Sequence, residues 1–242
     1  MKGTRAGSGT MERLTTILIT DDEVNPTLPP STKSFADHFD KVDYFDDAEI
    51  RKFLKINFAS DVLAAYETLT PYACKKDIAS YAIIYKNGGW FSDISNTFLV
   101  RPAILGLNDS LIFFRDRQVN SKTSWAVQNS LFYFPREHPI LLGALTQVLR
   151  NVATQYYGLT PLSVSATSVF GRAIATFGET SEMLIGTFAV EDEQAYFQLP
   201  KKVRIAKYKD KLMMRSGLFT PGWNDYTSIW NSRNVYGEKT NK

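Results

Sequence analysis

Apolar positions recur at two spacings along the chain, and the spacing distinguishes predicted strands from predicted helices. Alternating or β-branched apolar runs predict strands, at residues 15–20, 41–45, 90–93, 111–114, 126–134, 188–190, 195–199 and 203–207. Apolar residues three and four apart predict helices, in the segment after Asp46 and at residues 61–69, 71–87, 138–156 and 168–177. Helices alternate with strands early and strands cluster late, which predicts an α/β fold with a mixed central sheet flanked by helices.

The length of the chain sets the expected number of domains. A chain of 242 residues with 44% hydrophobic residues can bury one sizeable core, so we expect a single domain over residues 11–242. Residues 1–10 lack hydrophobic periodicity and precede a second methionine, so we interpret them as a disordered leader or tag.

Composition argues against several classes of function. Twenty-eight basic and 25 acidic residues give a net charge of +3, too weak a field to predict a nucleic-acid partner. No apolar run approaches the roughly 18 residues that span a bilayer, so no transmembrane segment is expected.

Cys74 is the one cysteine, which favours a reducing, cytoplasmic setting and a packing role. His38 and His138 lack metal-ligand spacing, and His138 is expected to begin a helix.

The stretch 75–96 carries the residues that suggest chemistry. A predicted helix supplies Asp77, the Gly88-Gly89 pair reverses the chain, and a predicted strand supplies Asp93. We expect the two carboxylates to face one pocket. Carboxylates are ligands for Mg²⁺ or Mn²⁺, ions that neutralise charge on phosphate groups. Each acid alone is also typical of an ordinary surface helix or strand end.

The same stretch resembles glycosyltransferase family 32, whose members carry a DXD motif and whose core is similar to that of the glucosylating clostridial toxins. The resemblance extends from residue 45 to residue 236. It includes Asn129 and, more loosely, residues 165–167 and 223–226. Its most specific part is the run of matching residues Asp77, Ile84, Tyr85, Gly88, Gly89, Trp90, Phe91 and Asp93.

This resemblance implies a GT-A-like (Rossmann-like) domain that transfers a hexose from a UDP- or GDP-sugar to a hydroxyl of a glycan or other acceptor, with retention of anomeric configuration. It also implies Mn²⁺ or Mg²⁺ and catalytic roles for Asp77 and Asp93. The implied donor-binding residues are Asp77, Ser80, Tyr81, Gly89, Trp90, Ser92, Asp93, Asn129 and Asn224. The implied metal ligands are Asp93, Ser95 and Asp225.

Two departures from the family pattern keep alternatives open. Ser80 stands where the family has an arginine, and Ser95 stands where it has the second aspartate of the motif. A non-catalytic protein that binds sugar nucleotides or glycans is therefore the main alternative. A metal-dependent phosphohydrolase built on Asp21, Asp22 and Glu23 is a second. Trp90 is expected either to stack on the donor or, more ordinarily, to pack in the core.

Overall fold

The computed structural model describes residues 12–20, 28–107, 110–117, 123–209 and 224–237. Its strands are β1 Arg13–Ile17, β2 Lys41–Phe45, β3 Gly89–Ser92, β4 Asn96–Phe98, β5 Leu111–Arg115, β6 Val127–Phe134, β7 Met183–Glu191, β8 Gln194–Leu199 and β9 Val203–Tyr208. Its α-helices are α1 Lys33–His38, α2 Asp47–Asn57, α3 Ser60–Thr68, α4 Tyr72–Asn87, α5 Pro139–Ala153, α6 Thr167–Phe177 and α7 Tyr226–Asn231.

The described strands form one mixed sheet in the order β2-β1-β3-β6-β5-β7-β8-β9-β4. Strand β1 runs parallel to both β2 and β3, β3 pairs antiparallel with β6, and β5 runs parallel to β7. Strand β8 pairs antiparallel with both β7 and β9. The predicted α/β architecture with a mixed sheet between helices is confirmed.

Successive side chains of a strand point to opposite faces of the sheet, and this divides the core into two layers. Phe91 and Phe132 pack on one face with apolar residues of α2 to α6. Trp90 and Ile112 pack on the other face with Phe35 of α1 and residues of β7 to β9. Helices therefore cover one face densely, while the other is closed by α1 and the strands themselves.

The strand order reverses at β1, which lies between its parallel neighbours β2 and β3. The chain passes from β1 through α1 to β2 on one side, and returns through α2, α3 and α4 to β3 on the other side. In open α/β sheets, ligands bind outside the carboxyl ends of the strands where the strand order reverses. Asp93 directly follows β3 at this point.

The turn between α4 and β3 depends on two glycines. Gly88 ends α4 with φ +67° and ψ −178°, a conformation that side-chain-bearing residues avoid. A Cβ on Gly89 would lie 3.0 Å from the carbonyl oxygen of Arg13 in β1. The Gly-Gly pair therefore lets β3 start beside β1 immediately after the helix.

Most predicted elements occur within a few residues of their expected bounds, and Asp46 forms the expected helix cap, with a capping box to Glu49. Elements α1, β4 and α7 were not predicted. The expected leader, residues 1–10, lies outside the described residues, as do Asp21, Asp22 and Glu23. Among the residues that the structure describes, no helix is both long and apolar enough to cross a bilayer.

Candidate functional site

Lys76 joins the two acids that the sequence singles out. Its Nζ lies 3.1 Å from Oδ1 of Asp77, its neighbour in α4, and 2.9 Å from Oδ1 of Asp93, which follows β3. Two elements separated by the Gly-Gly turn thus meet at one ammonium group. We refer to these three residues as the carboxylate–lysine cluster.

Asp77 is enclosed by the protein. Its residue surface is 2% exposed, Oδ1 accepts a hydrogen bond of 2.6 Å from Nδ2 of Asn129, and Oδ2 accepts one of 2.7 Å from Oγ of Ser165. Burial raises the pKa of Asp77, and the neighbouring Lys76 and Ser165 oppose this effect. The lone pairs of this carboxylate are therefore directed to protein donors.

Lys76 is the functional candidate that sequence reasoning missed. Burial lowers its pKa, but the charges of Asp93 and Asp77 outweigh burial and hold the pKa above its usual value. Lys76 therefore carries its charge at neutral pH. A signal was present in the sequence, because the polar run Lys75 to Asp77 lies in a helix whose following residues are mostly apolar.

The turn after β3 holds Asp93 in place through β6. The backbone N–H of Asp93 donates to the carbonyl of Ser130 (2.8 Å), and the N–H of Asn96 donates back to the carbonyl of Asp93 (3.0 Å). The side chain of Asn96 donates to the same Ser130 carbonyl and to Oγ of Ser92. Ser95 lies inside this turn and is 4% exposed.

The residues at the cluster are a poor fit for a divalent ion. Within the described ranges, no group of three or more His, Cys, Asp or Glu side chains could hold a metal. Asp93 is the one carboxylate of the motif and is already paired with Lys76, whereas Ser95 offers only a hydroxyl, a weaker ligand for a hard cation. Asp225 instead caps α7, accepting hydrogen bonds from the N–H of Thr227 and the hydroxyl of Ser228.

Several expected donor-binding side chains are buried. Ser80 is fully buried and its hydroxyl donates to the carbonyl of Asp77, one turn earlier in α4. Tyr81, also fully buried, donates to the carbonyl of Ser165. Trp90 is 2% exposed and packs edge-on or tilted against the rings of Phe39, Phe98 and Tyr133.

The C-terminal segment reaches the start of α4. Oδ1 of Asn224 accepts a hydrogen bond from the N–H of Tyr72, and its Nδ2 donates to the carbonyl of Thr70 (3.2 Å). Asn224 thereby satisfies one of the N–H groups that a helix start leaves unpaired. Burial lowers the pKa of Lys209, but Tyr208 and Asp93 outweigh it, which places a second cation near the cluster.

The described part of the structure contains a cavity of about 430 Å³. Its lining includes Trp125, Tyr156, Ser163 and Arg172. Ser163 is two residues before Ser165, which contacts Asp77. The wall of the cavity is therefore continuous with the segment that holds the cluster.

Cys74 and His138 have structural environments. Cys74 is 5% exposed, and burial raises the pKa of its thiol to about 12, which keeps it protonated and unreactive. His138 caps α5, with Nδ1 accepting from the N–H of Ile140 at 3.3 Å. The predicted packing role of Cys74 and the predicted helix start at His138 are confirmed.

Comparison with known proteins gives little that bears on function. No family model matches the chain, and no curated protein matches it. Among solved structures, the chain is similar to one described as "PaToxG Glycosyltransferase", with 13% sequence identity, coverage of 69% of this chain and 70% of that chain, and a TM-score of 0.46.

Proposed function

We propose that this protein is a glycosyltransferase that moves a hexose from a UDP- or GDP-sugar to a hydroxyl of a glycan or other acceptor. The observation that carries the proposal is the carboxylate–lysine cluster. It lies at the carboxyl end of β3, beside β1, where an α/β sheet of this order binds ligands. The cluster also falls within the stretch that resembles the family 32 motif.

The reaction places specific demands on such a site. The bond between the sugar C1 and the β-phosphate oxygen breaks, and its electron pair remains on the nucleoside diphosphate. The acceptor oxygen bonds to C1, and its proton passes to an oxygen of the leaving phosphate. Groups that stabilise the developing negative charge lower the barrier. Retention of configuration is proposed from the family resemblance.

Each member of the cluster has a role in this proposal. The Asp93 side chain is 19% exposed, so it can contact hydroxyls of the donor. The Asp77 side chain is 3% exposed, and it positions Lys76 and Asn129 for the donor. Asp93 and Ser95 would be the residues to hold Mn²⁺ or Mg²⁺ beside the diphosphate, but they suit a metal ion poorly.

The acceptor is proposed to bind in the cavity lined by Trp125 and Tyr156. Aromatic rings present flat apolar faces on which sugar rings pack, and Trp125 and Tyr156 are 42% and 41% exposed. Arg172 adds hydrogen-bond donors for sugar hydroxyls.

The test is direct. Purified protein is incubated with UDP-glucose, UDP-N-acetylglucosamine, UDP-galactose or GDP-mannose, with and without a mixture of oligosaccharides, in MnCl₂ or EDTA, and donor binding, acceptor glycosylation and release of nucleoside diphosphate are measured. Transfer to an acceptor with at least one donor is expected. Absence of both turnover and donor binding would refute the proposal.

A non-catalytic sugar-nucleotide-binding protein is the second candidate. The enclosure of Asp77 by Lys76, Asn129 and Ser165 favours it, because a carboxylate with its partners inside the protein has no lone pair directed at a ligand. Donor binding without turnover, under every condition of the same assay, would support this candidate.

A further inference from the structure

Lys76 is a cation beside the carboxyl end of β3, where the proposed donor site lies. We propose that the Lys76 ammonium itself neutralises the leaving diphosphate, so that the protein binds nucleoside diphosphates without a divalent cation. This inference rests on the proposed function. It differs from the metal-assisted chemistry that the family resemblance implies.

One face of α4 carries the cation of the site. Residues four apart lie on the same face of a helix, so Lys76 and Ser80 are neighbours on α4. Ser80 stands where the resembling family has its arginine, but its hydroxyl is spent on the carbonyl of Asp77. The cation absent from position 80 is thus present one helical turn earlier.

Lys76 and a divalent cation would compete for Asp93. Its Oδ1 accepts a hydrogen bond of 2.9 Å from the Lys76 ammonium. A divalent ion bound to the same carboxylate would lie within a few ångströms of that ammonium, and like charges at such a distance repel strongly. The Lys76 ammonium in this position therefore disfavours a metal ion at Asp93. Lys209, which follows the β9 residue opposite Asn96, adds further positive charge.

Lys76 and Asp93 are partly exposed to solvent, whereas Asp77 is not. The side chains of Lys76 and Asp93 are each 19% exposed, while that of Asp77 is 3% exposed. A lysine ammonium has three N–H donors. Two are directed at Asp77 and Asp93, which leaves one for an oxygen of a phosphate group that approaches from the exposed side.

The experiment compares ligands with and without phosphate. Binding of UDP, GDP, uridine and guanosine is measured by calorimetric titration in EDTA and in MnCl₂. The wild-type protein is expected to bind at least one nucleoside diphosphate in EDTA. Lys76→Met is expected to weaken that binding at least tenfold while changing the affinity for the matching nucleoside less than twofold.

Lys75→Met is the matched control. Lys75 is the preceding residue of the same helix, and its Nζ lies over the ring of Tyr66, 5.2 Å from the ring centroid, away from Asp93. This variant removes an equal charge, so it is expected to bind the diphosphate like the wild type. Lys76→Arg keeps the charge and is expected to keep metal-free binding.

Three outcomes decide between the alternatives. Diphosphate binding that requires Mn²⁺, or that is equal in Lys76→Met and wild type, overturns the role of Lys76 while leaving the proposed function standing. No binding of UDP or GDP in either buffer, together with no donor binding in the transfer assay, overturns both. If circular dichroism shows that Lys76→Met is unfolded, metal-free binding by wild type and by Lys76→Arg supports the role, and loss of either overturns it.

Discussion

At the scale of single residues, Asp77 and Asp93 differ although the sequence presents them alike. Asp77 makes hydrogen bonds with Asn129 and Ser165 and is almost wholly buried. Asp93 contacts Lys76 at the protein surface. The same substitution should therefore mainly change stability at one position and mainly change activity at the other.

We expect Asp93→Asn to reduce transfer by about 100-fold or more, on the scale of removing one preorganised charged or hydrogen-bonding group from an active site. The melting temperature should change little, because the side chain is partly exposed and Lys76 keeps Asp77 as its partner. Initial rates at saturating donor and thermal unfolding check the two parts. Unchanged turnover would remove Asp93 from the active site.

We expect Asp77→Asn to lower the free energy of unfolding by about 3 kcal/mol, because the new amide would present N–H groups to donors that now meet a buried carboxylate. For a chain of this size, that corresponds to a fall in melting temperature of about 6–12 °C. Asp225→Asn is the control, since asparagine caps helices as well as aspartate does. Equal melting temperatures for both variants would contradict the enclosed position of Asp77.

At the scale of elements, local signals explain what the sequence could predict. Helix α4, its Gly-Gly stop and strand β3 each follow from neighbouring residues, and their predicted bounds are confirmed within one or two positions. Strand β4 has no such signal, because its three residues are fixed by pairing with β9 more than a hundred residues later. The contacts of Asp77 are likewise non-local, since Asn129 and Ser165 are 52 and 88 residues away.

We expect Gly88→Ala to cost about 2–4 kcal/mol. An added Cβ would lie 2.8 Å from the backbone nitrogen of Arg136, and the backbone at Gly88 has a positive φ. Gly106→Ala is the control, because Gly106 also has a positive φ but has nothing within 4 Å of the added atom. That variant should lose only about 1 kcal/mol. Denaturant unfolding measures both, and equal losses would mean that the turn tolerates a side chain.

We expect the free energy of unfolding to decrease as the pH is lowered below about 6.5, the ordinary pKa of histidine, because of His138. Burial lowers the pKa of His138 in the folded protein, so the unfolded chain binds more protons than the folded chain in this range. Its contribution is therefore complete above the ordinary pKa and is lost as pH falls through the folded pKa. His138→Asn keeps a helix-capping acceptor without titrating. Melting temperatures that fall equally in variant and wild type would assign the effect elsewhere.

At the scale of the whole molecule, the sheet brings distant parts of the chain to the carboxyl ends of β1 and β3. Strands β1 and β3 end there in parallel, and the turn after β3 leads into β4, which pairs with β9. Asn96 lies opposite Tyr208 in this pairing, so the end of β9 and Lys209 arrive beside the cluster. The site thus combines the parallel half of the sheet with its last antiparallel strand, an arrangement that no single segment encodes.

We expect a bound nucleotide sugar to slow amide hydrogen exchange at the carboxyl ends of β1 and β3 and not across the sheet as a whole. Ligands raise the free energy of local opening for the elements that they contact. Protection should appear after β1 at residues 18–20, in the turn 93–96, and in the first turns of α4. The turn between α2 and α3 lies at the other end of α4, where Phe58 packs near Tyr85 and Lys86, so its exchange should stay unchanged and serves as the internal control. Protection confined to the lining of the cavity, at Trp125 and Arg172, would place the donor there and would separate it from the carboxylate–lysine cluster.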